Sequence, residues 1–142
     1  QRWLDVLCRY ASLETTEPTM NNRDIVVVED DVLLAKHIIR TLEKAGYNAH
    51  HALHAIHAID MIDEVRPAVI FLDMLLTGST GLVLLHELQS HTDLASIPVV
   101  VCTNIAESTL LESLKPYGVR RVLDKTIMTP DDIPTAVRSV LV

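Results

Sequence analysis

Val69-Ile70-Phe71-Leu72-Asp73 is a short run of bulky apolar residues that ends abruptly in a carboxylate. Pro67 precedes it and the turn-like Thr77-Gly78-Ser79-Thr80-Gly81 follows. An apolar run of this length between such breakers reads as a strand covered on both faces. That strand delivers Asp73 to the carboxyl edge of a sheet, the edge at which open parallel α/β sheets bind ligands. Asp73 is therefore the first site candidate. Asp is also a common turn former, so capping of the following turn is the competing reading.

The rest of the chain repeats the pattern. Ile25-Val26-Val27-Val28 is a second buried-type strand, and it too ends in acids, Glu29, Asp30 and Asp31. A helical stripe at Leu34, Ile38, Leu42 and Ala45 closes at Gly46, the usual residue just past a helix end. Tyr47 to Leu53 alternates loosely as an edge strand, and Ala55, Ile59 and Ile62 share a helical face that Pro67 interrupts. After the Asp73 strand come a helix with Leu84, Leu85 and Leu88, then Pro98 to Cys102 ending at Thr103-Asn104. A helix with Leu110, Leu111 and Leu114 leads to Val119–Leu123, which ends at Asp124-Lys125. The last helix carries Ile133, Val137, Val140 and Leu141, with Asp132 as its expected N-cap. Strands and helices that alternate in this way predict an α/β, doubly wound five-stranded parallel sheet with helices on both faces, since each connection is long enough to be a right-handed crossover.

Composition agrees with one such domain. The chain has 142 residues, 49% of them hydrophobic and only 4% aromatic, which suits a core of Val, Ile, Leu and Ala. A net charge of −7 without a basic tract argues against nucleic-acid binding. Cys8 and Cys102 are too few for a disulfide framework, and Cys102 within an apolar run reads as a buried thiol. No stretch approaches the roughly 20 apolar residues of a membrane span, and no secretory core is present at the amino terminus, so the expected setting is cytoplasmic. Residues 1–22 stand outside the pattern. Trp3, Leu4, Leu7 and Tyr10 fall at helical spacing and Glu14–Thr19 reads as a linker, with Met20 a natural start. This segment is read as an expression tag or the tail of an upstream module, the alternative being a helix that docks on the domain or on a second copy.

In a parallel sheet all carboxyl ends point the same way, so Glu29, Asp30, Asp73, Thr103 and Lys125 should meet at one edge. Carboxylates gathered there repel one another unless a cation neutralises them. An all-oxygen donor set suits a hard divalent ion such as Mg²⁺. A hydroxyl and an ammonium opposite the metal complement an anion, and the inferred ligand is a phosphoryl group.

VVVEDD, FLDM with the downstream Gly81, VVVCT and LDK together resemble the signatures of the response-regulator receiver domain, in that family's order and spacing, across roughly residues 24 to 142. The resemblance implies a receiver domain over 23–142 with flavodoxin-like strand order 2-1-3-4-5. It implies that Asp73 accepts a phosphoryl group from a histidine kinase or phosphotransfer protein. Glu29, Asp30, Asp73 and the backbone carbonyl of Leu75 would hold Mg²⁺, while Thr103 and Lys125 would bind the phosphoryl oxygens. Activity would be self-phosphorylation with weak autophosphatase action rather than turnover. Phosphorylation would switch a surface for an output protein or domain, or for a homodimer.

Several positions depart from the family pattern. Thr126 follows Lys125 where proline is usual, which predicts a trans bond and a less well placed lysine. Val122 stands where strand 5 carries a switch aromatic, and Thr77 where proline is typical. Leu75 and Ile105 occupy the positions that otherwise position a hydrolytic water, which predicts slow self-dephosphorylation. Two rival readings follow: a pseudo-receiver that works through phosphorylation-independent protein contacts, and a haloacid-dehalogenase-type phosphohydrolase. For the latter, Asp73 and Thr77 fit, but Leu75 replaces the general acid-base. His50, His51, His54 and His57 near helix 2 are read as a solvated face rather than a metal site.

Overall fold

The computed structural model describes residues 22–76, 79–104 and 109–141. Expectations for residues 1–21, Thr77 and Ile105, and for the side chain of Leu75, lie outside the described residues. Five strands form the main sheet: β1 (Asp24–Val28), β2 (Asn48–Ala52), β3 (Val69–Asp73), β6 (Val99–Thr103) and β7 (Val119–Asp124). They are all parallel and lie in the order β2-β1-β3-β6-β7, which is 2-1-3-4-5 when only the strands of this sheet are counted. An antiparallel pair, β4 (Leu75–Leu76) and β5 (Ser79–Thr80), follows β3 directly. The sequence reading treated that stretch as a simple turn, because two-residue strands carry no periodicity to detect.

Alternation along the strands sorts the core into two layers. Ile25, Val27, Val69, Phe71, Val100 and Cys102 point to one face. There they meet α1 (Val32–Lys44) through Ile38 and Leu42, and α5 (Asp132–Val140) through Ile133 and Val137. Val26, Val28, Ile70, Leu72, Val99 and Val101 point to the other, against α2 (Ala55–Val65), α3 (Gly81–Gln89) and α4 (Leu110–Leu114). Because β3 is buried at every position, both its faces are needed by the core, which is why its sequence shows no polar alternation.

Local chemistry sets the helix ends. Asp31 caps α1, its Oδ1 accepting from the N–H groups of Leu33 and Leu34 at 3.0 and 3.2 Å. Gly46 ends that helix with φ +96°, a left-handed conformation that favours glycine. Helix α2 has an unusual cap, His54, whose Nδ1 accepts from the His57 N–H at 3.4 Å. For α5 the expected N-cap shifts by one residue. Asp132 is the first helical residue, and its carboxylate accepts from the Thr129 N–H at 2.8 Å, thereby fixing the preceding turn instead. Leu141 lies beyond the helix and is partly exposed rather than part of its buried stripe.

Strand β7 pairs with β6 through an irregular register. Val99 faces Val119, but Val100 faces Arg121, so Arg120 is an extra residue that bulges from the outer edge. Among the described residues no helix is long and apolar enough to cross a membrane.

Candidate functional site

The strand ends meet as the parallel topology requires. Register aligns Val28 with Leu72 and Asp73 with Cys102, while Thr103 faces Asp124. The loop after β1 therefore lies beside the end of β3, and the end of β6 beside the turn after β7. Glu29, Asp73 and Thr103 are buried at 2%, 3% and 4% exposure, the buried polar residues among the described residues. Asp30 beside them is half-buried.

Lys125 enters this cluster from the end of β7. Its Nζ lies 3.2 Å from Asp73 Oδ2 and 3.2 Å from Glu29 Oε1. The Lys125 N–H donates to the Thr103 carbonyl at 2.9 Å, which ties the turn to β6 and aims the side chain inward. Among the described residues no peptide bond is cis, that between Lys125 and Thr126 included. The ammonium reaches both acids all the same, so the expected setback from the missing proline is not seen. Thr126 holds the turn in another way, its N–H and hydroxyl donating to Asp124 Oδ1 at 2.9 and 2.6 Å. Those two bonds also hold the Asp124 carboxyl below its usual range.

Electrostatics at the cluster are frustrated without a cation. Burial is the main reason that the Glu29 carboxyl is pushed up to about 7, and the Asp73 charge adds to it. The Asp31 N–H, which donates to Glu29 Oε2 at 3.2 Å, and the Lys125 charge both oppose that rise without cancelling it. Burial works against the charged form of Lys125, yet Glu29 and Asp73 outweigh it and raise its pKa. Glu29 Oε1 is sealed from water, and the Lys125 ammonium, 3.2 Å away, is the cation that faces it. One carboxylate oxygen each from Glu29, Asp30 and Asp73 fall within 4.8 Å of one another. A hard, oxygen-seeking divalent cation fits that donor set: it would coordinate these clustered carboxylate oxygens and remove the like-charge repulsion.

Gly81, the first residue of α3, rests on the same strand end. Its N–H donates to the Met74 carbonyl at 2.8 Å. A Cβ there would come within 2.9 Å of Met74 Cα and 3.0 Å of the Asp73 carbonyl, so only glycine lets α3 sit this close. The histidines of β2 and α2 serve other ends. His50 pairs with Asp24 at 3.1 Å, and His51 Nε2 is 2.7 Å from the Glu29 carbonyl, which buttresses the acidic loop. None of them belongs to a potential metal cluster among the described residues. Cys102 is a buried thiol, pushed up to about 12 by burial and packed 3.6 Å from Met128 Sδ.

Comparison with known proteins gives the same reading. The family model described as the response regulator receiver domain matches residues 25–138. The polar-differentiation response regulator DivK of Brucella anthropi is 28% identical over 113 residues, covering 80% of this chain and 92% of that protein. The phosphate regulon transcriptional regulatory protein PhoB of Pseudomonas aeruginosa is 30% identical over 111 residues, 78% of this chain but 47% of its own length. The chain thus spans nearly all of one relative and about half of the other. In fold it is similar to the chemotaxis protein CheY4 of Vibrio cholerae, with TM-score 0.77 and 20% identity over 84% of this chain and 99% of that one. Proteins of this kind generally bind Mg²⁺ at an acidic cluster and interact with kinases and output domains. From β1 almost to the end of α5, then, the chain belongs to the response regulator receiver domain family of two-component signalling.

Proposed function

We propose that this receiver domain is phosphorylated on Asp73. An oxygen of the Asp73 carboxylate attacks the phosphorus of a phosphohistidine on a kinase or phosphotransfer protein. The P–N bond breaks, its electron pair leaves with the imidazole nitrogen, and the new O–P bond makes an aspartyl phosphate. Glu29, Asp30, Asp73 and the Leu75 backbone carbonyl would hold Mg²⁺, which supplies charge neutralisation for the transferring oxygens. Lys125 guards the acceptor. Because Asp73 is almost sealed, transfer has to draw the ammonium from the acceptor oxygen onto a phosphoryl oxygen, and Thr103 takes another.

The observation that carries this reading is the Lys125 ammonium, 3.2 Å from Asp73 Oδ2 at the mouth of a three-carboxylate cluster. A pseudo-receiver freed from phosphorylation has no use for that arrangement, in which a cation must be held against two buried acids. Incubation with acetyl phosphate and Mg²⁺, followed by intact-mass spectrometry, tests the proposal. A phosphoryl adduct is expected in the parent and absent from Asp73→Asn. No adduct in either would favour the pseudo-receiver, a module acting by protein contacts alone.

The unit carrying this activity is residues 23–142, with 1–22 an extension or linker, and its working place is the cytoplasm, where two-component kinases present their phosphohistidines. A downstream output protein or domain, or a second copy, reads the phosphorylated surface.

A further inference from the structure

The surface between α2 and α3 has a feature that neither the core nor the Asp73 site uses. Ile56 is 78% exposed and Val83 is 55% exposed, although α2 and α3 already bury Ala58, Ile62, Leu84 and Leu88 in the core. Ile56 and Val83 line opposite sides of a groove of about 260 Å³, floored by Ile59 and Leu84. Each wall repeats one pattern, a β-branched residue followed one helical turn later by an acid, Ile56 with Asp60 and Val83 with Glu87. Asp60 is in no ion pair among the described residues, and Glu87 has only the exposed His91, at 3.1 Å.

We infer that this groove docks a basic amphipathic helix of a partner protein, which would insert a bulky apolar side chain between Ile56 and Val83 and set lysine or arginine beside Asp60 and Glu87. Charge decides the class of occupant. Two carboxylates on the rim of a chain with net charge −7 repel nucleic acid and anionic membrane surfaces, but attract a cationic helix. The apolar walls then provide what a solvated acidic face lacks, surface that is removed from water on binding. This docking does not depend on phosphorylation of Asp73, so the two readings stand or fall separately.

The test is titration of the isotope-labelled protein, residues 1–142, without phosphodonor, with a synthetic Leu/Lys amphipathic helix and with its Leu/Glu counterpart. The Leu/Lys peptide should shift the amide resonances of α2 and α3, and the Leu/Glu peptide should not. Ile56→Ser with Val83→Ser should weaken binding at least about tenfold, whereas Ile56→Leu with Val83→Leu should preserve it. Asp60→Asn with Glu87→Gln should reduce affinity by a similar factor at low salt and by less at high salt. Both apolar positions are exposed, and thermal melting verifies that each variant is folded. Shifts centred on Glu29, Asp30 and Asp73, or affinity unchanged by the serine pair, would overturn the inference. So would sedimentation showing a dimer of this chain that the serine pair dissolves, since the occupant would then be a second copy.

Discussion

Replacing Glu29 by glutamine should stabilise the metal-free protein at alkaline pH. Folding moves the Glu29 carboxyl from 4.5 to about 7. A raised acid opposes folding only in its ionised form. The penalty is therefore absent well below 4.5, grows as pH rises between the two values, and is complete above about 7. At about 1.4 kcal/mol per pKa unit the full penalty is about 3 kcal/mol, of which the variant recovers about 2, because the glutamine amide is itself a polar group buried at that site. Glutamine keeps the acceptor for the Asp31 N–H without the charge. Glu29→Gln should accordingly gain about 2 kcal/mol at pH 8 in EDTA, about 6–8 °C in melting temperature, and about 0.5 kcal/mol at pH 5. Differential scanning calorimetry across that range measures both. In saturating Mg²⁺ the order should reverse, because the native parent gains a ligand-linked term that the variant has lost. An equal gain at pH 5 and pH 8, or none at pH 8, would refute the account of a carboxylate strained by burial and by its neighbour.

The same carboxyl predicts that Mg²⁺ binding releases protons below about pH 7. Its affinity should fall as pH drops from 8 to 6, a trend that calorimetry in buffers of different ionisation enthalpy can check. Gly81→Ala has to push α3 off the Asp73–Met74 backbone; a loss of about 1–3 kcal/mol is expected, with phosphorylation by acetyl phosphate slowed, both read on one preparation. Phe71→Ala, which empties the centre of the α1–α5 layer, should cost about 3–5 kcal/mol in urea denaturation while leaving the acidic cluster in place. Decay of the aspartyl phosphate should be slow in the parent and faster in Leu75→Asn or Ile105→Glu, as followed by mass; rapid decay of the parent would contradict the reading of those two positions.

The sheet was legible because apolar runs of strand length rarely end in acids by accident. Ile25–Val28 and Val69–Leu72 are both followed at once by carboxylates, and the parallel topology brings those ends together. Asp31 at the start of α1 and Gly46 at its end could be read for a related reason, since each acts through local backbone chemistry. Tertiary effects could not. Nothing in the residues around Lys125 reveals that a trans bond still lets its ammonium span Glu29 and Asp73, because that depends on how β6 and β7 are staggered. Tyr47 looked like part of a loose edge strand but is buried in the core, under the Arg23 guanidinium 4.7 Å from its ring centroid. The His51 contact with the Glu29 carbonyl likewise joins a strand to the loop that follows its neighbour, which no local pattern encodes.

The bulge at Arg120 has a consequence for solubility. An outermost strand with free backbone groups invites an identical strand to zip alongside it. Here Arg120 and Arg121 are both exposed on that rim, and the extra residue breaks the ladder's even spacing where a newcomer would have to align. Two like charges facing their own copies across the seam would repel. Edge-to-edge extension of the sheet is thereby discouraged on this side.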